Sequence, residues 1–181
     1  MANPTTTRHH GQHGFTLVEA MITLAIAAIL FAWAVPSLQD FIIRNRMSTE
    51  VNTFVTSLYV ARSESVKRLR NVGICPAPAG ATTCAGDTNW NQGWIVIADT
   101  DGAAGFNTGD TILQQNSALP SNFQITNTLV SITYQPNGRV APLNNTTFTF
   151  DNCDEMANSR AVFVATTGRV RTVQLGSSNG C

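Results

Sequence analysis

The sequence predicts an α+β protein: one long N-terminal helix, membrane-spanning in its first half, packed on an antiparallel β-sheet body. Three observations lead there. Residues 20–39 are twenty consecutive positions without a charge, about 30 Å as a helix and enough to cross the hydrocarbon core of a bilayer. Downstream, Met47, Val51, Phe54, Val55 and Leu58 recur at three- and four-residue intervals, the spacing of one apolar helix face. Beyond residue 71, short strand-like runs alternate with turn-rich stretches, the pattern of antiparallel sheet.

A polar leader, MANPTTTRHHGQHG, precedes the apolar run. This reverses a secretory signal, in which the apolar core comes before the cut. The expected organisation is a cleaved leader over 1–14, a helix over 15–71 whose part 15–39 wants lipid or like neighbours around it, and a β-rich body over 72–181. Glu19 and Asp40 bracket the uncharged span. Pro36 is expected to kink the rod, because it removes an amide donor and crowds the preceding turn. Leu69 is expected to continue the apolar stripe, with Arg62, Glu64, Lys67, Arg68 and Arg70 on the solvated face. Arg8 lies before the span and Arg44 and Arg46 follow it, a distribution that mildly opposes a cytoplasmic N-terminus. The stretch NVGICPAPAGATTCAGDTNWNQG reads as loop. The strands expected after it are GWIVIAD, TILQQ, FQITNT, VSITYQ, TTFTFD, AVFVATT and RVRTVQL.

Eleven basic residues balance eleven acidic ones, so there is no global field for gripping nucleic acid, and any such binding has to be local. His9, His10 and His13 all lie in the leader. Its removal leaves no histidine, which excludes Ser-His-Asp and Cys-His catalysis and histidine-based metal sites. The chain reads as a non-enzyme, with no cofactor and no metal expected. In the acidic loop 99–110, Asp99 and Asp101 suit a calcium loop, but Ala103 offers no ligand and Ala104 stands where glycine is needed. That loop reads as a plain hairpin connection. The four cysteines form no CxxC, and an even number behind an export-type N-terminus favours disulfides. Of three connectivities the local one is expected, Cys75–Cys84 and Cys153–Cys181, the second restraining the tail GSSNGC.

Gly14 followed by FTLVEAMITLAIAAIL resembles the N-terminus of type IV pilins and pseudopilins. The resemblance implies that a prepilin peptidase cuts between Gly14 and Phe15 and methylates the new amine of Phe15. It also implies a filament-assembly role for Glu19, facing the N-terminal amine of a neighbouring subunit and so setting register, since a charge in apolar surroundings is costly unless paired. The implied location is a single-pass inner-membrane protein with a periplasmic body, extracellular once assembled among other pilins in a pilus.

The body resembles the GspH/FimT group through GWIVIADTDGAAGFNTGDTIL, through the phrase from Tyr134 to Arg139, and through Gly168-Arg169-Val170-Arg171 near the end. The last is similar to the GRxR phrase of pilins associated with DNA uptake in natural transformation. It implies sequence-independent DNA binding at Gly168, Arg169 and Arg171, with Arg160 and Arg139 as further candidates. Arg169 and Arg171, two apart, share one face of a strand, and a guanidinium fork suits phosphate. Gly168 either lets a phosphate approach the backbone or ends a turn. The alternative is a GspH-like type II secretion pseudopilin that assembles filaments without binding DNA.

The first prediction is that the native protein begins at Phe15 and carries N-methylation there, as read by intact-mass measurement. Retention of Met1, or a cut beyond Leu30, would be incompatible with this reading. A bulky residue in place of Gly14 should leave the precursor unprocessed.

Overall fold

In a computed structural model, residues 15–102, 105–141, 145–153 and 159–176 are described. The chain comprises two compact units, Met1–Phe41 and Ile42–Cys181. A helix, α1, occupies Leu17–Arg68.

In the first unit the helix starts on a polar cap. Thr16 Oγ1 accepts the Glu19 amide at 3.2 Å, and Glu19 lies in the first turn, where a carboxylate complements the helix dipole. The window Leu17–Ala34 is long and apolar enough to cross a membrane and is not buried by protein. Its large side chains, Trp33 among them at 82% exposure, face outward.

In the second unit the antiparallel strands are β1 (Val72–Pro76), β2 (Trp94–Ala98), β3 (Thr111–Asn116), β4 (Phe123–Thr126), β5 (Ile132–Tyr134), β6 (Val140–Ala141), β7 (Thr146–Asn152), β8 (Arg160–Val164) and β9 (Val170–Gln174). They form two sheets, in the orders β3-β2-β1-β5-β6 and β4-β7-β8-β9, where the sequence suggested one. Met47, Val51, Phe54 and Leu58 of α1 are buried as the spacing predicts; Val55 is only partly buried against the same core, and Ala61 joins the buried face. Phe54 is its centre. Its ring lies 5.7 Å from Trp90, 5.3 Å from Trp94, 4.7 Å from Phe148 and 5.5 Å from Phe150, mostly edge-on, the favoured aromatic geometry. Trp94 belongs to the first sheet and the two phenylalanines to the second, so helix and both sheets meet on one ring. Beside it the buried Ser57 hydroxyl accepts from Trp94 Nε1 at 3.0 Å and Asn116 Nδ2 at 3.2 Å, and donates to the Thr53 carbonyl at 3.0 Å.

Two boundaries differ from expectation. The stretch read as loop contains β1, buried at all five positions and paired on one side with β2 and on the other with β5. Its glycine disguised it. The Phe106 ring occupies the place a Cβ on Gly73 would take, so a larger residue there would have to displace that ring. The helix ends at Arg68 rather than 71. Leu69 takes a left-handed φ of 54° and is 74% exposed, so it ends the helix instead of extending the stripe. The Arg70 amide then reaches back to the Ser65 carbonyl at 3.3 Å, the long bond of a Schellman cap with leucine in the usual glycine place.

Cys75 and Cys84 are joined as expected, within a second small core that includes Ile95, Ile97 and Phe106. Cys153 is also disulfide-bonded. Cys181, Gly14 and the rest of the leader lie outside the described residues.

Removing the central ring should be severe: Phe54→Ala is expected to cost about 3–5 kcal/mol of unfolding free energy. Urea titration of the full chain in detergent, followed by tryptophan fluorescence, measures it. A loss under about 1 kcal/mol would show that the ring is not the keystone.

Candidate functional site

Two hairpin turns of identical hydrogen bonding meet at one end of the second unit. In the β5–β6 turn, the Gln135 amide donates to Arg139 O and the Gly138 amide to Gln135 O, both at 2.8 Å. In the β8–β9 turn, the Ala165 amide donates to Arg169 O at 2.9 Å and the Gly168 amide to Ala165 O at 2.8 Å. Gly138 and Gly168 have φ of 73° and 77°, left-handed positions that complete a type I turn with a bulge. The turns touch. A Cβ on Gly168 would overlap the Gly138 carbonyl oxygen, and the Val140 amide donates to Thr166 O at 3.0 Å, joining the ends of the two sheets.

Arg62 lies across both turns. Its Nε borders both glycines, and its Nη2 donates to the Thr167 carbonyl at 3.3 Å. The helix pattern put Arg62 on the solvated face; the twin turns give it a packing and hydrogen-bonding role instead. Tyr134 near it is fully buried, with no hydrogen-bond partner for its hydroxyl among the described residues. Burial pushes that phenol well above its ordinary range, and the Arg62 charge offsets the effect only in part.

Each glycine is followed by an exposed arginine, Arg139 and Arg169. Contact between the turns therefore sets the backbones of these two arginines at the same end of the unit. Arg171 stands opposite Phe163 across β8 and β9, its guanidinium 5.0 Å from the ring centroid, within cation–π range. Arg169, Arg171, Phe163, Ala165, Thr167 and Asn145 border a hollow of about 530 Å³. Arg160 is not part of it. It pairs with Gln174 at the other end of β8, an odd number of residues from Phe163 and so on the opposite face. Gly168 is buried with its amide committed within the turn, which is the turn-ending role of the two considered. Sequence reasoning missed Arg62 and Phe163. The one available signal was the repeated phrase GRV at 138–140 and 168–170.

In the acidic loop, carboxylate oxygens of Asp99, Asp101 and Asp110 lie within 4.8 Å of one another. They serve as the loop's own acceptors. Asp99 takes the Gly102 amide at 2.7 Å, Asp110 those of Thr100 at 2.8 Å and Asn107 at 2.9 Å, and Asp101 the Asn107 side chain at 3.0 Å.

An apolar N-terminal helix together with an antiparallel body packed on a helix defines the class: a type IV pilin or pseudopilin subunit. The prokaryotic N-terminal methylation motif matches residues 9–35, and the type II transport protein GspH model matches residues 50–168. The chain belongs to the GspH family. Its fold is similar to that of the type IV minor pilin FimU of Pseudomonas aeruginosa (TM-score 0.55, 18% identity, 74% of this chain and 92% of that one). It is also similar to the minor pseudopilin EpsH of the type 2 secretion system of Vibrio cholerae (TM-score 0.52, 12% identity, 71% and 97%). In sequence it is 34% identical over 91 residues to the type IV major fimbrial protein FimA of Dichelobacter nodosus, covering 50% of this chain and 54% of that protein. The fimbrial protein EcpC of Eikenella corrodens is 51% identical over 41 residues, covering 23% and 27%. The chain thus spans about half or less of the length of these curated relatives.

Gly168→Ala should destabilise the protein by roughly 1–3 kcal/mol, from the left-handed backbone and the clash with Gly138. Gly80 supplies the control: its φ is 79° but nothing lies where a Cβ would go. Thermal unfolding should show Gly168→Ala melting clearly below Gly80→Ala. Equal melting would remove the packing role given to Gly168.

Proposed function

We propose that this chain is a minor type IV pilin that binds extracellular DNA without sequence preference, for uptake in natural transformation. The observation that carries the reading is the convergence of exposed arginines on one hollow in a chain of zero net charge. Arg169 and Arg171 border the hollow, Arg139 emerges from the touching turn, and no acidic residue is among the described lining residues. Guanidinium groups so placed suit phosphate oxygens. Gly168 contributes by shaping the turn and Arg62 by holding it. Arg160, on the other face, is left out.

The proposed life of the protein follows from its N-terminus. It is made as a precursor, cut by a prepilin peptidase between Gly14 and Phe15, and held by one span in the inner membrane with its body in the periplasm. It then joins other pilins in a pilus, with Glu19 setting register. A second reading is a GspH-like subunit of a type II secretion filament without DNA binding. The family match and the likeness to EpsH favour it.

The two readings separate on one titration. Processed protein in detergent micelles should bind unrelated DNA sequences about equally, with Kd of about 10⁻⁴–10⁻⁶ M. The slope of log affinity against log salt should be roughly −2 to −4, for two to four phosphates. Arg169→Gln with Arg171→Gln should weaken binding at least about tenfold and leave the melting temperature nearly unchanged, since exposed side chains carry little stability. Undiminished binding by that variant would move the site elsewhere. No binding by the parent at low salt would leave the secretion reading standing.

A further inference from the structure

We propose that the hollow beside Arg169 and Arg171 receives an unpaired nucleobase on the stacked pair of Phe163 and Arg171, so that the site prefers single-stranded to double-stranded DNA. The inference rests on the DNA-binding reading above and names the form of DNA it takes.

The site is not only a pair of charges. A surface that held phosphates alone would need arginines on a flat or raised face, as the backbone is the outermost part of a duplex. Here the arginines stand at the border of a concavity of about 530 Å³ whose lining includes a half-buried phenylalanine. Arg171 lies 5.0 Å from the centre of that ring. An aromatic ring and a guanidinium plane are the two surfaces on which a splayed-out base stacks.

The register fixes this arrangement. Phe163 pairs with Arg171 across the β8–β9 ladder, and the Ala165 amide bonds to Arg169 O. Phe163, Arg169 and Arg171 thus share one face of the ladder, with the Arg171 guanidinium over the ring and Arg169 two residues before it. On the rim, Asn145 is held by accepting the Thr166 amide at 3.1 Å.

A duplex keeps its bases stacked inside and reads out through grooves that a protruding helix or ribbon enters. A hollow cannot enter a groove. Against a duplex the arginines touch phosphate while the Phe163–Arg171 stack meets no base. A single strand brings phosphates to the arginines and turns a base into the hollow. Charge alone works the other way, because a single strand releases fewer counterions per phosphate neutralised than a duplex does. Preference for the single strand therefore reports stacking, not arginine.

The test uses full-length processed protein in detergent micelles, with fluorescent oligo(dT) and a mixed-sequence duplex of the same length as probes. The parent should bind oligo(dT) about tenfold more tightly than the duplex, within the range one stacked base supplies. Phe163→Leu should bring oligo(dT) binding down to the duplex level and leave duplex binding within about twofold. Phe163→Tyr, which keeps the aromatic face, should keep the preference and shows that the loss comes from stacking and not from misfolding. Equal binding of the two probes by the parent, or an undiminished preference in Phe163→Leu, overturns the proposal while phosphate binding stands. A parent that binds neither probe overturns the DNA reading as well.

Discussion

The body of this protein depends on a single apolar stripe of α1 being covered from two directions. The two sheets share no strand ladder. Besides the backbone bond from Val140 to Thr166, they share one face of α1, centred on Phe54, whose ring touches aromatic side chains of both. Burying a ring of this size contributes more than most single contacts, but burial has no direction. Direction comes from Ser57, whose hydroxyl takes the Trp94 indole and the Asn116 amide. Those bonds fix where along the helix the first sheet sits. The apolar ring supplies the attraction and the polar group the register.

The arginine-bordered hollow inherits its geometry from that docking. Arg62 stands on α1 one turn beyond the buried Leu58, so the packing of the stripe carries it to the two glycine turns. Gly138 and Gly168 in turn let the β5–β6 and β8–β9 hairpins touch. The exposed arginines that follow them are brought together by backbone contacts, without any attraction of their own.

Much of this was legible in the sequence, for reasons of range. The uncharged run, the helix stripe and seven strands are local patterns, read from residues within a few positions of each other. So is the shared face of Arg169 and Arg171, which follows from the two-residue period of a strand. What was hidden depends on distant partners. β1 looks like a loop because its glycine answers to Phe106, thirty-three positions away. The division into two sheets depends on which strands pair, and alternation within a strand carries no such information. Gly138 and Gly168, thirty positions apart, gave no sign of contact beyond the repeated GRV. The end of the helix escaped notice because Leu69 fills a place where glycine would have signalled it.

The order of the first sheet bears on how the body withstands force. Only residues 69–71 separate the end of α1 from β1, and β1 is the middle strand, paired on both sides. A pull transmitted down the helix is therefore delivered to a strand that cannot be peeled from an edge one bond at a time. It must slide against two neighbours, loading their ladders together in shear. The bridge from Cys75 to Cys84 fastens the far end of that same strand to the loop beyond it, so a covalent link backs the strand at the end away from the helix.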